Sequence, residues 1–154
     1  MKSRARGTTT LEFALVSTCT ILLLVGVVEI GRFLYMMNTA AEGVRRAARL
    51  AAVCPPNDPK ITLAALMASS GTNSPYISGL TSSYITVQYL DASGAVTTDT
   101  TLMQYARVGL TPFTPTLNIP FVSASFTFPA FTTTVPLENK GYIPALGASV
   151  CLSL

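Results

Sequence analysis

Apolar side chains run almost unbroken from Phe13 to Val28, inside the stretch GTTTLEFALVSTCTILLLVGVVEIGRFLYMM at residues 7–37. A bilayer core of about 30 Å needs about 20 such residues in a helix, so this stretch predicts a membrane-spanning helix. Glu12 interrupts it one turn from its start. A carboxylate in hydrocarbon is costly, which makes Glu12 a candidate functional residue. The pattern then changes from all-round to one-sided. In AAEGVRRAARLAAV, residues 40–53, one stripe holds Ala40, Val44, Ala47, Ala48 and Ala51, and the opposite face holds Glu42, Arg45, Arg46 and Arg49. That is the pattern of a half-buried amphipathic helix. Cys54-Pro55-Pro56 ends it, because the residue before a proline is pushed out of the α region. One helix from Thr9 to Val53 would be about 65 Å long. It would span a membrane to about residue 35 and serve beyond that as a spine for the rest of the chain.

After residue 54 the periodicity is that of strands. Asp58-Pro59 reads as an N-cap and first-turn proline opening a short helix to about Ser69. Residues 70–83 are rich in Gly, Ser, Thr and Asn, and read as loop. YITVQYL (84–90) alternates, and Asp91-Ala92-Ser93-Gly94 predicts a turn into the β-rich AVTTDT, hence a hairpin. Residues 104–111 form a further strand, and FVSASFTF (121–128) alternates cleanly. The prolines between 112 and 136 favour edge strands and turns. The expected fold class is therefore α+β: a long N-terminal helix whose outer half packs on a small antiparallel β-sheet domain, residues 54–154.

Composition sharpens this reading. Of 154 residues, 49% are hydrophobic and only 11% charged, against roughly a quarter charged in soluble proteins. The net charge of +3 equals the contribution of Lys2, Arg4 and Arg6 in the leader MKSRARG, so no nucleic-acid footprint is visible. Positive charge there favours a cytoplasmic N-terminus, which places the β domain outside the cytoplasm. An ordinary cleavable signal peptide would end its apolar run after 7–15 residues at a small-residue site, and this run continues without one. The chain has no histidine, no paired acids at helical spacing after residue 42 and no Gly-rich phosphate loop. No catalytic constellation, metal site or cofactor site is expected, and the chain does not read as an enzyme.

Other residues carry smaller expectations. Glu29 and Arg32, spaced i,i+3, suit an ion pair at the outer membrane interface. Arg45, Arg46 and Arg49 form either a solvated helix face or a contact with lipid head groups or a subunit. Gly26 and Gly31 are spaced by five and make no GxxxG. Phe and Tyr residues from 105 to 142 read mostly as core. Cys19 lies in the apolar run as a small apolar residue, whereas Cys54 and Cys151 flank the β domain. In an exported chain a Cys54–Cys151 bridge would close a long loop; the alternative is that all three cysteines are reduced.

Three motifs in order, R-G-T-T-T-L-E-F-A-L-V, G-V-V-E-I-G-R and A-A-E-G-V-R-R-A-A-R, resemble the TadE/TadG-like minor pilins of tight-adherence (Flp) type IV pili. The resemblance covers roughly the first 53 residues; a proline common early in the apolar run of relatives is absent, with Ser17-Thr18 near its place. It implies a leader, residues 1–7, cut by a prepilin peptidase between Gly7 and Thr8, which makes Glu12 the fifth mature residue. Cleavage would remove three positive charges and create an α-amino group on Thr8. Glu12 would then pair with the amine of a neighbouring subunit and set its register; the other reading is that it snorkels or complements its own helix N-terminus. The implied partners are membrane lipid, the peptidase, other pilin subunits and the inner-membrane assembly platform, with a surface ligand possible. The implied location is the bacterial inner membrane, with the β domain periplasmic, and then the pilus. Two functions stand: an assembly subunit of a pilus used in attachment, or a permanently signal-anchored protein whose β domain binds a ligand or envelope partner.

Overall fold

A single helix, α1 (Ala5–Val53), runs through both apolar patterns. The computed structural model describes residues 5–115, 125–138, 142–143, 148–149 and 151. Lys2 and Arg4 of the leader lie outside them, as do residues 121–124 of the FVSASFTF run. Its 49 residues correspond to about 73 Å at 1.5 Å each. With no proline in the apolar run, Ser17, Thr18 and Thr20 stay within the helical ladder. Their hydroxyls donate to the carbonyls of Ala14, Ala14 and Val16. The most apolar 18-residue window has a mean hydropathy of 2.3, and none of it is buried by protein.

The outer half of α1 is covered. All five residues of the small stripe, Ala40, Val44, Ala47, Ala48 and Ala51, are buried, and α1 packs there on α2 (Pro59–Leu66) and on the sheet. The sheet has the order β1-β2-β3, all antiparallel, with β1 Ile85–Leu90, β2 Tyr105–Leu110 and β3 Phe131–Pro136. Val87, Val108 and Thr133 share one cross-strand row, and Tyr89, Ala106 and Val135 the next. These rows face α1, whereas Thr86, Gln88, Thr132 and Thr134 are exposed on the other side. Pro136 ends an edge strand, where a missing N–H costs no ladder bond. Tyr142–Ile143 (β4) and Ala148–Ser149 (β5) form a separate two-stranded pair.

The expected 84–100 hairpin is corrected by this topology. The turn exists: Asp91 N–H bonds Ala95 O, and Gly94 supplies a φ of 83°. Beyond one isolated bridge, Leu90 to Val96, the AVTTDT run forms no strand, and β1 pairs with β2 instead. AVTTDT has β-branched residues but no apolar face, and Val96 is 61% exposed. β2 buries Ala106, Val108 and Leu110 on one side, so burial decides the partner over propensity. Residues 125–128 also carry no strand, only a bridge from Phe128 to Phe113.

α2 begins as its sequence indicates. The Asp58 carboxylate accepts from Lys60 N–H, Pro59 occupies the first turn, and the helix stops at Leu66 because Met67 turns left-handed. Asp58→Ala is expected to cost about 1 kcal/mol through the orphaned N–H, checked by the denaturation midpoint. The α1–α2 contact is tight at Gly43, where an added Cβ would run into the backbone carbonyl oxygen of Ala65. Alanine gains about 1 kcal/mol in helix propensity over glycine. A clash with backbone outweighs it, so Gly43→Ala is expected to be net destabilising by about 1–3 kcal/mol. An unchanged or raised midpoint would refute this.

An aromatic cluster and a covalent bond fix the two ends of the spine. At the inner end Phe33 of α1 stacks edge-on to Phe128 at 5.2 Å, Phe128 meets Phe113 at 5.8 Å, and Phe113 meets Tyr84 at 5.0 Å. Phe128 is fully buried. At the outer end Cys54 is disulfide-bonded to Cys151, 97 residues away, and Lys60 Nζ donates to Cys151 O at 2.7 Å. Glu138 N–H also donates to Ala52 O.

Candidate functional site: the exposed half of the first helix

The candidate assembly residues lie on α1 below the point where protein begins to cover it. Among the described residues the first ring contact of α1 with the β domain is at Phe33. From Gly7 to Ile30 no residue is buried and most are exposed, over about 36 Å by length, which is enough to cross a hydrocarbon core. Leu11, Phe13, Ile21, Leu24 and Val27 point in different directions around it and are each more than half exposed. A helix apolar on all sides is stable only in lipid or among other helices.

Gly7, Thr8 and Glu12 are all exposed on this bare segment. The helix already includes Ala5, the first described residue, ahead of the expected start near Thr9, so the Gly7–Thr8 bond lies within it. Thr8 and Glu12 are four residues apart and therefore share a face. Gly7 has open space around it. Among the described residues no group of three or more His, Cys, Asp or Glu could hold a metal ion.

At the upper edge of the bare segment Arg32 Nε donates to Glu29 Oε2 at 3.1 Å, with the carboxylate side largely covered and the guanidinium side 42% exposed. Higher up Arg46 Nε donates to Glu42 Oε1 at 3.0 Å. Arg45, Arg46 and Arg49 are all exposed, opposite the buried alanine stripe. Cys19 is a free thiol on the exposed apolar surface. Tyr35 also lies exposed just above the bare segment. Gly26 and Gly31 meet nothing within 4 Å, so neither serves a close approach within the chain.

Two contributors were not foreseen from the residues alone. Gly43 carried a signal, because a glycine inside a strongly helical run needs a packing reason. Phe33 carried none, since its partners Phe126 and Phe128 are more than 90 positions away in the chain.

Residues 7–49, the bare segment and most of the covered spine, match the family model described as TadE-like protein. Neither the curated proteins nor the solved structures show a significant match to the chain. The matched span includes Gly7, Thr8, Glu12, Glu29, Arg32 and the arginine cluster. The family is one of pilus structure, which suggests interaction with other pilin subunits, and a single N-terminal apolar helix fits a single-pass membrane anchor. Over the helix that organises it, residues 7–49, the chain is similar to the TadE-like family of proteins associated with Tad pili.

Proposed function

We propose that this protein is a minor pilin, or pseudopilin, that takes part in initiating or tipping a Tad-type pilus used for surface attachment. The observation that carries this is the bare inner half of α1 with Glu12 near its start. A permanent anchor needs only the apolar surface, whereas a carboxylate there asks for a partner. Residues 1–7 are the leader, removed by a prepilin peptidase between Gly7 and Thr8. Residues 8–53 then form the assembly helix, and residues 54–154 the extracytoplasmic domain.

Orientation follows from charge and redox chemistry. Lys2, Arg4 and Arg6 hold the N-terminus in the cytoplasm. The Cys54–Cys151 bond belongs in an oxidising compartment, which supports a periplasmic β domain. The Glu29–Arg32 pair sits where the helix leaves the hydrocarbon, its charges compensating each other at the interface. Before assembly the subunit rests in the inner membrane. Afterwards its helix exchanges lipid for the helices of other subunits.

N-terminal sequencing of the native protein tests the reading. The expected first residue is Thr8. Retention of Met1 would sink the proposal in favour of a permanently anchored binding protein.

A further inference from the structure

Two surfaces remote from the bare helix complement each other. The first is a groove of about 1010 Å³ between α1 and α2. Its floor includes Leu50, Leu63 and Met67, all only half-buried, and α2 is too short to cover it. Its rim carries Arg46, Arg49 and Lys60. Arg46 is paired with Glu42, and the Lys60 ammonium donates to the Cys151 carbonyl. Arg49 has no hydrogen-bond or ion-pair partner among the described residues. Positive charge therefore predominates on the rim.

The second surface is the knob formed by residues 91–103 at the distal end of the sheet. Val96 and Leu102 project from it, 61% and 55% exposed, and the same loop carries Asp91 and Asp99. Glu138 stands at its base, because Leu137 N–H bonds Gln104 O and Gln104 N–H bonds Leu90 O. The Ser93 hydroxyl and the Ala95 N–H hold the Asp91 carboxyl below its ordinary range, so it is charged at neutral pH. The knob is thus an apolar tip framed by carboxylates.

We propose that the knob of one copy docks in the α1–α2 groove of the next, Val96 and Leu102 on the apolar floor and the acids facing Arg46, Arg49 and Lys60. The inference rests on the pilus-subunit reading. The two surfaces differ, so the contact is head-to-tail, and a pair of copies leaves one groove and one knob uncovered for other subunits. The rim residues Arg46 and Arg49 lie seven and four positions before Val53, roughly 6–10 Å below the end of α1. A neighbour advanced outward by about that distance brings its rim level with the knob. A lipid occupant is disfavoured by reach. Arg46 is sixteen residues beyond Ile30, roughly 24 Å along the helix, whereas the head-group layer adds about 5–8 Å on each side.

The test uses the full-length protein in bacterial membranes with a photo-crosslinking amino acid at position 102. Irradiation is expected to give a species of twice the chain mass, attached within residues 46–69. Crosslinks confined to lipid, to a different protein, or to the bare half of α1 overturn the proposal. The double variant Arg46→Glu/Arg49→Glu is expected to lose about ten-fold in crosslinked dimer, and Val96→Lys/Glu138→Lys likewise. Co-expressed with separate tags, the two variants should recover the crosslink with each other; full yield from either alone overturns the contact. Non-reducing electrophoresis of the Cys54–Cys151 bond reports that each variant folds. The N-terminus is read on the same sample. A Thr8 start without the crosslink overturns the docking alone, and a Met1 start with the crosslink sustains the docking while overturning the pilus reading.

Discussion

Cys151→Ser is expected to destabilise the outer domain by about 4–5 kcal/mol. The bond joins residues 97 apart, and in the chain-entropy model a cross-link closing a loop of about 100 residues restricts the unfolded chain by about that amount. Domains of this size are stable by only about 5–15 kcal/mol in total. The bond therefore accounts for about a quarter or more of what holds the domain folded. It also acts locally, since it fastens the chain end to the last turn of α1 and presents the Cys151 carbonyl to Lys60. The measurement is the denaturant midpoint of the β domain in the detergent-solubilised protein, with and without reductant. Reduced wild type should coincide with Cys151→Ser and with Cys54→Ser, whereas Cys19→Ser, whose thiol is free on the apolar surface, should match oxidised wild type. A Cys151→Ser midpoint equal to wild type would refute the assignment.

The helix was readable from spacing alone because its burial is dictated one face at a time. Ala40, Val44, Ala47, Ala48 and Ala51 recur at three and four positions, and each is buried where that recurrence puts it. Asp58-Pro59 was equally readable, since an N-cap and a first-turn proline act within four residues. The sheet was less so. Its partners are chosen by which strands can bury a face against α1, a long-range competition that local β-propensity in AVTTDT does not report. The contact of Phe33 with Phe128 is invisible for the same reason. Gly43 lies between the two cases: its oddity shows in the sequence, but only the path of α2 tells why a side chain is excluded. For the candidate site the residue types were legible, while the extent of bare helix around them needed the position of the β domain.

Glu12→Gln is expected to leave processing and membrane insertion intact and to lower incorporation into pili by at least about ten-fold. Glutamine keeps the size and hydrogen-bonding shape of the side chain and removes its charge. Insertion should not suffer, because a neutral amide is less costly in hydrocarbon than a carboxylate. Assembly should. A carboxylate and an amine about 4 Å apart gain about 4 kcal/mol at an effective dielectric constant near 20, and a loss of only 1.4 kcal/mol is already ten-fold. The competing role is local. Glu12 lies four residues after Thr8, within the first turns of the mature helix, where a carboxylate complements the helix N-terminus by about 0.3–1 kcal/mol. That role would fray the helix start slightly and leave incorporation near normal. The readouts separate the two: the mature N-terminus, the membrane-bound amount, and the amount recovered with sheared pili. Glu12→Asp, which keeps the charge on a shorter arm, should retain part of the incorporation that Glu12→Gln loses. Pili carrying a normal complement of the Glu12→Gln protein would leave the carboxylate with its local role only.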